Sequence, residues 1–535
     1  MKFNLAIACA SISCVLVAGC TPEAAVGDWA AKRSAAVNRV RPVVYNTDGC
    51  DMLYWPSNLP VSVENFTGRR LRFVPGTKIS TVSYCPQSAG FGHFTCRMAG
   101  DPLTNTVPHP TGGHYNPAAK FFALGTDALQ MASEYCRTND LEIFLSIRFN
   151  DTHDAAGTLD SPNPLFPEFK RRNPDCLMGK GPEKDMRPPF CSWSAVDFAQ
   201  EKVRAHMKRF MRQLVENYDV DGVEYDFNRH MQLFKTVANG AEATQDELDL
   251  MTGFMRELRE ITEAAGRRRN HPIVIAMRAP DSVGYCRAVG IDLERWFADG
   301  LVDIWIGAGY FRLNPWSESA AFAHRYGVKF YASLDETRIP GSAAKRKLPI
   351  LPGRMTAAFY AARFADAMAS GCDGVYVFNI EGAFMSKVCS VDPCRTAGME
   401  TVRFATERGS GGYRPWRYLK DGGRFCNLPK IDPGEPLAVK RGETCAFRMF
   451  IAADSLVGHP KVTAKALTNL KGGERLALSC NGHAVEQSSV KNGCYTYLLD
   501  QGVLKAGDND FTVVFPDVAA KGTTFNDFAI EIRYR

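Results

Sequence analysis

The sequence predicts an α/β protein, a (β/α)8 TIM barrel, followed by an all-β sandwich. From Arg41 onward, eight short apolar stretches each end in polar residues and precede a helical pattern, and eight strands close such a barrel. After Cys426 the chain changes to short strand-like stretches separated by Asn-Gly, Gly-Gly and Gly-Asp turns, which is typical of a sandwich. No Gly-x-Gly-x-x-Gly or P-loop motif follows any strand, so an open doubly wound sheet is disfavoured.

The barrel strands and two of the connecting helices are individually recognisable. An apolar residue every three or four positions, as at Val203, Met207 and Phe210, predicts an amphipathic helix. A capping box of Thr244 and Glu247 predicts the start of another. The strands are expected at residues 43–46, 79–84, 142–150, 222–228, 273–278, 302–308, 328–334 and 374–379.

The chain divides into four predicted segments: 1–19 as an export signal, 20–40 as a tether, 41–422 as the barrel and 423–535 as the sandwich. Lys2 precedes an apolar stretch that is too short to act as a stop-transfer helix. It closes with Val17-Ala18-Gly19-Cys20, which resembles the lipobox of bacterial lipoproteins and implies lipidation of Cys20. We therefore expect a lipid-anchored protein of the bacterial cell envelope, at the outer membrane, with an ordinary signal peptide and secretion as the alternative.

Cysteine usage adds an expectation of disulfides. Of the 17 cysteines, three lie in the export signal or at its end, which leaves an even number in an exported chain. No Cys-x-x-Cys motif occurs and the ten histidines are scattered, so neither a zinc site nor any other cofactor is expected. The close pairs expected to form loop-closing disulfides are Cys85 with Cys96, Cys176 with Cys191, Cys389 with Cys394, and Cys480 with Cys494.

The stretch from Asp221 to His230 predicts the active-site strand. Its odd-numbered apolar residues form one face, while Glu224, Asp226 and Asn228 share the other. A face with two carboxylates needs charge partners or a wet cavity. In a barrel that face points inward, towards an active site at the C-terminal strand ends.

The neighbouring strands predict partners for these carboxylates. Arg148 on strand three and Arg278 on strand five would flank strand four from both sides. Glu224 is the deeper carboxylate, so we expect it to be ionised and held by both arginines. Asp226 lies nearer the mouth and is the expected general acid or base.

A second carboxylate is expected from strand seven, which ends in Asp335-Glu336. Two carboxyl groups facing one another across a pocket are what glycosidic hydrolysis needs, so Glu336 is the expected nucleophile or second carboxylate. The further substrate-binding candidates, drawn from strand ends and the loops after them, are Arg148, Asn150, Asp151, His153, His230, Arg278, Trp316, Asn379 and Glu381.

Two phrases carry a resemblance to a known family. The stretches Trp193-Ser194-Ala195-Val196-Asp197-Phe198-Ala199 and 218–226 resemble the barrel of bacterial "glycosyl hydrolase-like 10" proteins. The resemblance implies a carbohydrate-active (β/α)8 fold over about residues 41–414. The larger retaining-glycosidase clan has an Asn-Glu acid/base on strand four and a nucleophile on strand seven; Glu336 matches the latter, whereas this chain has Glu-Tyr-Asp at the former. The C-terminal turns resemble those of jelly-roll modules that accompany sugar-degrading enzymes.

The composition argues against nucleic acid as a partner, and two functions other than glycosidic hydrolysis remain open. The net charge of +6 over 535 residues is mild, and the basic runs lack the interleaved aromatic residues of single-strand nucleic-acid binders. A carbohydrate is the expected partner, with membrane contact through the lipid only. The alternatives to a glycosidase are a glycan-binding lipoprotein without catalysis and a metal-assisted barrel hydrolase. Unpaired carboxyls across the mouth would favour the glycosidase, and carboxyls that are all ion-paired would favour the glycan-binding protein.

Overall fold

A closed barrel of eight parallel strands forms the first part of the molecule. The computed structural model describes residues 22–87, 90–100, 103–107, 114–181, 192–307, 310–334, 348–378, 388–405, 414–470, 474–500, 502–517 and 521–534. Each barrel strand pairs with its neighbours in chain order, and β8 closes on β1. The strands are β1 Val43–Thr47, β2 Ile79–Tyr84, β3 Glu142–Arg148, β4 Gly222–Asp226, β5 Val274–Ala279, β6 Ile304–Gly307, β7 Lys329–Ser333 and β8 Gly374–Phe378.

The predicted fold class is confirmed, and the eight strands lie where the sequence places them to within two residues at either end. The larger differences are at polar C-terminal ends, as in β3, which ends at Arg148 instead of Asn150. At these positions the chain leaves the strand and enters a loop. The C-terminal ends of the strands, with the loops that follow them, form the end of the barrel called the mouth. The opposite end is called the floor.

Helices surround the barrel and follow the predicted patterns. The stripe on α7 is buried, with Val203, Met207, Phe210 and Leu214 at 0 % exposure. At the start of α9, Thr244 and Glu247 form both hydrogen bonds of the capping box. The helices are α1 Pro22–Asn38, α2 Cys50–Leu53, α3 Val63–Arg70, α4 Ala118–Ala123, α5 Ala128–Thr138, α6 Glu168–Arg172, α7 Glu201–Asn217, α8 Lys235–Ala238, α9 Gln245–Arg269, α10 Val283–Ala288, α11 Leu293–Ala298, α12 Trp316–His324, α13 Ala357–Ala369 and α14 Pro415–Tyr418.

The segment expected to be a tether is helical over most of its length. Helix α1 spans Pro22–Asn38 and packs on the floor of the barrel. Trp29 is buried there and donates its indole N–H to Glu263 of α9 at 3.0 Å. The stretch therefore belongs to the folded body.

Two antiparallel sheets form the second part of the molecule. One sheet has the order β9–β18–β12–β16–β15, with β10 also paired to β18, and the other has the order β11–β17–β13–β14. Phe511 and Phe528, from different sheets, lie 5.3 Å apart between ring centroids and are fully buried. The strands are β9 Thr401–Phe404, β10 Leu437–Ala438, β11 Thr444–Ile451, β12 Lys461–Thr468, β13 Ala477–Cys480, β14 His483–Val485, β15 Gln487–Lys491, β16 Cys494–Leu499, β17 Gly507–Val514 and β18 Thr524–Arg533.

The sandwich is joined to the barrel part by hydrogen bonds and a shared strand. Strand β9 pairs with β18 although it precedes the predicted boundary at residue 423. Asp527 of β18 accepts two bonds from Arg354, at 2.7 and 3.0 Å, and one from the backbone N–H of Leu351. Both side chains of this ion pair are buried.

Both members of three predicted disulfides carry free thiols, namely Cys85 with Cys96, Cys389 with Cys394, and Cys480 with Cys494. The fourth predicted pair includes Cys191, which lies outside the described residues, and its partner Cys176 is free. Most of these thiols are buried, and burial raises the pKa of Cys85 to about 12. None of the described helices is long and apolar enough to cross a membrane.

Candidate active site

Glu224 lies at the centre of a polar layer inside the barrel. Its side chain is fully buried and accepts four hydrogen bonds from neutral donors on four other strands. The donors are Asn46 Nδ2 at 3.1 Å, Ser83 Oγ at 2.7 Å, Ser146 Oγ at 2.8 Å and Tyr376 Oη at 3.0 Å. Burial, followed by the charge of Asp226, raises the pKa of Glu224 above its ordinary value.

The four hydrogen bonds to Glu224 thus come from groups other than the expected Arg148 and Arg278, although the charge of Arg278 opposes the rise in the pKa of Glu224. Both arginines flank strand four as predicted, since Asp226 is in register with Arg148 on β3 and with Arg278 on β5. Because they lie one layer nearer the mouth than Glu224, they meet the carboxylates of that layer and of the loop above it. Glu224 is held by hydroxyl and amide groups instead.

Asp226 forms a buried ion pair with Arg278. Arg278 Nη1 lies 2.9 Å from Asp226 Oδ2, and the two side chains are 0 % and 2 % exposed. The other carboxylate oxygen accepts the backbone N–H of Asn228 at 2.9 Å. The guanidinium also lies over the ring of Phe378 on β8, 4.4 Å from its centroid, so it reaches across the barrel interior.

Arg148 binds carboxylates from two different loops. Its Nη1 lies 2.7 Å from Asp151 Oδ2, and its Nη2 lies 3.4 Å from Asp48 Oδ2. Burial alone would raise the pKa of Asp151, but the hydrogen bond from His153 and the charge of Arg148 hold it well below the ordinary value. Arg148 is thus committed to fixing the loops after β1 and β3.

His153 is the most solvent-accessible of the predicted site residues that are described, with a third of its side chain exposed. Its Nδ1 lies 2.6 Å from Asp151 Oδ1, and its Nε2 accepts from Arg229, whose other nitrogen donates to the hydroxyl of Tyr310. Burial and the charge of Arg229 lower the pKa of His153. The network assigns a neutral ring with its proton on Nδ1.

His230 and Asn150 secure the backbone of the mouth. His230 adopts a left-handed backbone with φ 59° and bonds the carbonyl of Asn150 at 3.0 Å. Burial and the charge of Arg229 lower the pKa of His230 well below its ordinary value. The Asn150 side chain bonds the carbonyls of Val196 and Gln232, at 3.0 and 2.9 Å, and accepts the N–H of Val196. With its amide used on both sides, Asn150 holds two loops together and does not point to substrate.

A second buried ion pair braces the loop after β3. Lys170 Nζ lies 2.7 Å from Asp154 Oδ2, and Ser194 Oγ donates to Asp154 Oδ1 at 2.7 Å. Burial raises the pKa of Asp154 to about 6 although Lys170 opposes the shift. The ion pair therefore joins described parts of the segment between β3 and α7, in which Cys176 is a free thiol.

Trp316, a predicted substrate-binding residue, is buried instead. It begins α12 at 3 % exposure, with the guanidinium groups of Arg312 and Arg363 at 4.0 and 5.1 Å from its ring centroid. Two further tryptophans that follow barrel strands are buried as well: Trp193 stacks on Phe166, 5.4 Å between centroids, and Trp55 is fully buried.

Several predicted residues lie outside the described part of the chain, namely Glu336, Asn379, Glu381 and Cys20. Conversely, sequence reasoning missed Arg229, Tyr310 and Tyr376, which join the site in the structure. The alternation of inward and outward side chains along β8 would have predicted that Tyr376 points into the barrel, towards Glu224. Among the described residues, no group of three or more His, Cys, Asp or Glu side chains is arranged to hold a metal ion.

The arrangement supplies an ionised carboxylate at the mouth, a polar layer beneath it and a neutral imidazole at its edge. Asp226 accepts hydrogen bonds on both oxygens, so it is suited to hold negative charge. His153, Arg229 and Tyr310 present polar groups where a substrate would enter. These groups can bind hydroxyls, and the carboxylate of Asp226 can stabilise a developing positive charge.

Comparison with known proteins gives structural similarity alone. No protein-family model matches the chain, and no curated protein matches it in sequence. Solved structures similar to it include glycoside hydrolases. The catalytic domain of chitinase B from Arthrobacter TAD20 is 12 % identical over 67 % of this chain and 96 % of that chain, with a TM-score of 0.39.

Two further structures give similar values. The glycoside hydrolase domain of PgaB from Bordetella bronchiseptica is 11 % identical over 65 % of this chain and 96 % of that chain, with a TM-score of 0.37. The GH20 β-N-acetylhexosaminidase from Streptomyces coelicolor is 11 % identical over 65 % of this chain and 60 % of that chain, with a TM-score of 0.35. At identities and TM-scores this low, the structural similarity does not indicate the activity of this protein.

Proposed function

We propose that this protein hydrolyses a glycosidic bond in an oligo- or polysaccharide held at the mouth of the barrel. The observation that carries the proposal is the carboxylate of Asp226 at the end of β4, buried and paired with Arg278. Active sites of (β/α)8 enzymes lie at this end of the barrel. A carboxylate kept away from water stabilises the positive charge that a sugar ring develops as its glycosidic bond breaks.

Asp226 fits the role of the ionised partner better than that of the proton donor. It already accepts from Arg278 and from the N–H of Asn228, and a carboxylate in that state acts as base, nucleophile or charge stabiliser. Hydrolysis also needs a carboxyl group that protonates the leaving oxygen. We assign that role, from sequence position, to Glu336 after β7, with Glu381 after β8 as the alternative.

Glu224 acts in this proposal through its neighbours. Four donors surround its carboxylate below Asp226, so it does not reach a substrate. Its hydrogen bonds hold in place the polar side chains that lie directly below Asp226 and Arg278 in the barrel. Substrate hydroxyls are instead met by His153, Arg229 and Tyr310 at the mouth.

The test is a screen of purified protein on a panel of polysaccharides and oligosaccharides, scored by release of reducing ends. Asp226→Asn should lower turnover by about 10²–10⁴-fold on natural glycans. Asp160→Asn, an exposed change in the loop after β3, is the matched control and should keep wild-type turnover. Absence of turnover by the wild type on every glycan would overturn the proposal.

Aryl glycosides separate the two roles, because their leaving groups need little protonation. If Glu336 is the proton donor, Glu336→Gln should lose far less activity on an aryl glycoside than on the natural glycan. Asp226→Asn should then fail on both substrates. The reverse pattern would return the acid role to Asp226, the residue that sequence reasoning favoured.

A glycan-binding protein without catalysis is the second candidate. The observation in its favour is that Asp226, Asp151 and Asp154, three of the described carboxylates at and around the mouth, are each ion-paired. Such a protein would bind an oligosaccharide without converting it, and His153→Ala would weaken binding. Calorimetry on the glycan panel beside the turnover assay distinguishes the two functions.

We propose further that the mature chain is anchored to the bacterial envelope by a lipid on Cys20. The support is the sequence alone, an apolar stretch that ends at Val17-Ala18-Gly19-Cys20. Cys20→Ser should release an unlipidated protein into the periplasm or medium. Retention of that variant in the membrane fraction through its N-terminus would contradict the anchor.

A further inference from the structure

Helix α1 is fastened to the floor of the barrel near its middle. Arg33 Nη2 lies 2.5 Å from Asp303 Oδ1, and Asp303 immediately precedes β6. Trp29 is 7 % exposed, donates to Glu263 and has the Arg267 guanidinium 4.8 Å from its ring centroid. All of these partners lie at the N-terminal ends of strands or at the C-terminal end of α9, which is the floor.

The C-terminal end of α1 is fastened as well. Arg41, fully buried, donates to the carbonyl of Ala36 at 2.7 Å and to that of Val37 at 3.2 Å. The same guanidinium group bonds both carboxylate oxygens of Glu142, the first residue of β3, at 2.7 and 2.9 Å. Helix α1 therefore cannot swing away from the floor without breaking its carbonyl bonds to the buried Arg41 and the ion pair between Arg33 and Asp303.

Covalent geometry then limits where residue 20 can lie. One residue, Thr21, separates Cys20 from Pro22, and the two Cα–Cα steps between them span about 7 Å at most. The helix from Pro22 to Trp29 adds about 10 Å. The Cα atom of Cys20 is thus within roughly 18 Å of Trp29, whereas β3 alone, with seven residues, extends about 23 Å towards the mouth.

We propose, on the basis of the lipid anchor proposed for Cys20, that the floor of the barrel is the membrane-facing surface. The mouth then points away from the bilayer, towards soluble or distant glycan. The partner is the layer of phosphate-bearing lipid headgroups in which the anchor is seated. The body is held against that layer because the anchor joins a docked helix and not a long flexible tether.

The floor carries groups suited to that contact. Arg39, Arg267 and Arg268 have side chains that are 48 %, 55 % and 56 % exposed. Val40, beside Arg39, is 76 % exposed although it is aliphatic. Arginine side chains bind headgroup phosphates, and an exposed aliphatic residue packs at the interface. Arg268 also pairs with Glu216 at 2.9 Å, so headgroups compete with that acid.

Fluorescence transfer to the bilayer tests this orientation. The lipidated full-length protein is reconstituted in phosphatidylethanolamine–phosphatidylglycerol vesicles that contain a headgroup-labelled acceptor lipid. A fluorescent amino acid replaces Val40 on the floor or, as the matched exposed site, Asp160 in the loop after β3. We expect several-fold stronger quenching at position 40 than at position 160. Equal quenching, or stronger quenching at position 160, would overturn the orientation.

Two controls separate this inference from the anchor itself. Metabolic labelling with a fatty acid reports lipidation of Cys20; if no lipid is found and the protein stays off the vesicles, the anchor fails and the orientation fails with it. If the lipid is present and the two positions quench alike, only the orientation fails. A flexible spacer of about 20 Gly and Ser residues between Thr21 and Pro22 would span roughly 25 Å, so it should weaken quenching at position 40 while lipidation persists.

Discussion

The Nη1 atom of Arg278 lies 2.9 Å from Oδ2 of Asp226, in a pair that strands β5 and β4 bring into register. Because the pair is buried, each charge depends on the other. Removal of one charged side chain of such a pair leaves the other charge in an environment that solvates it poorly.

We expect Asp226→Asn to lower the free energy of unfolding as well as turnover. The loss should be on the order of 3 kcal/mol, because Arg278 keeps its charge and loses this carboxylate. Urea unfolding of Asp226→Asn, Arg278→Met and the double variant measures it. The double variant should be more stable than the sum of the single losses predicts. Strict additivity would mean that the two side chains do not stabilise one another.

Two carboxylates in the loop after β3 should respond to pH in opposite ways. The pKa of Asp151 is held well below its ordinary value of 3.8. Its contribution to stability is therefore complete above that value and is lost as the pH falls through the folded-state pKa. The stability difference between the wild type and Asp151→Asn should be constant from pH 5 to pH 7 and should shrink in acid.

Asp154 provides the matched opposite case, since burial raises its pKa to about 6. A raised carboxyl pKa contributes stability that is complete below the unfolded value of 3.8 and is lost as the pH rises to about 6. The stability difference between the wild type and Asp154→Asn should fall between pH 4 and pH 7. Urea midpoints at pH 3, 5 and 7 for both variants check the signs, and parallel curves would contradict them.

Trp316 should matter for stability and not for sugar binding. Its ring is buried between Arg312 and Arg363, so Trp316→Ala leaves a cavity at the start of α12. We expect a loss of about 3–5 kcal/mol in the free energy of unfolding. The conservative Trp316→Phe should recover most of that loss with an unchanged KM. A raised KM at near-native stability would restore the role that the sequence suggested.

Reduction should leave the thermal midpoint unchanged, because both cysteines of three predicted disulfides, Cys85 with Cys96, Cys389 with Cys394, and Cys480 with Cys494, carry free thiols. Calorimetry with and without dithiothreitol makes the comparison. Thiol titration of the denatured, unreduced chain is the independent check and should find at least the cysteines of these three pairs. A midpoint that drops by many degrees with the reductant would show that loop-closing disulfides exist, since each contributes about 2–4 kcal/mol.

The barrel was predictable because its signals are local and repeated. Alternation along β4 assigns Glu224 and Asp226 to the interior, and strand order places Arg148 and Arg278 on either side. Which carboxylate each arginine meets depends on layer height and side-chain reach, which alternation does not encode. Asp151 returns from the loop to take Arg148, and that turn has no signature in the sequence.

The role of Trp316 was not predictable for a related reason. Composition places Trp316 after a strand, in a Pro-containing stretch that suggests a loop. In the structure Pro315 is the N-cap residue and Trp316 the first residue of α12, which turns the ring inward. The position of Trp316 at the start of the helix, instead of in the preceding loop, accounts for its burial.

The contact between Asp527 and Arg354 bears on how this protein can be dissected. A chain shortened after residue 422 would remove the carboxylate that accepts both guanidinium nitrogens of Arg354, together with β18, the partner strand of β9. Each half would then expose what the other covers, a buried cation on one side and an unpaired sheet edge on the other. The two parts therefore need to be expressed together, because deletion of the sandwich also removes contacts that support the barrel.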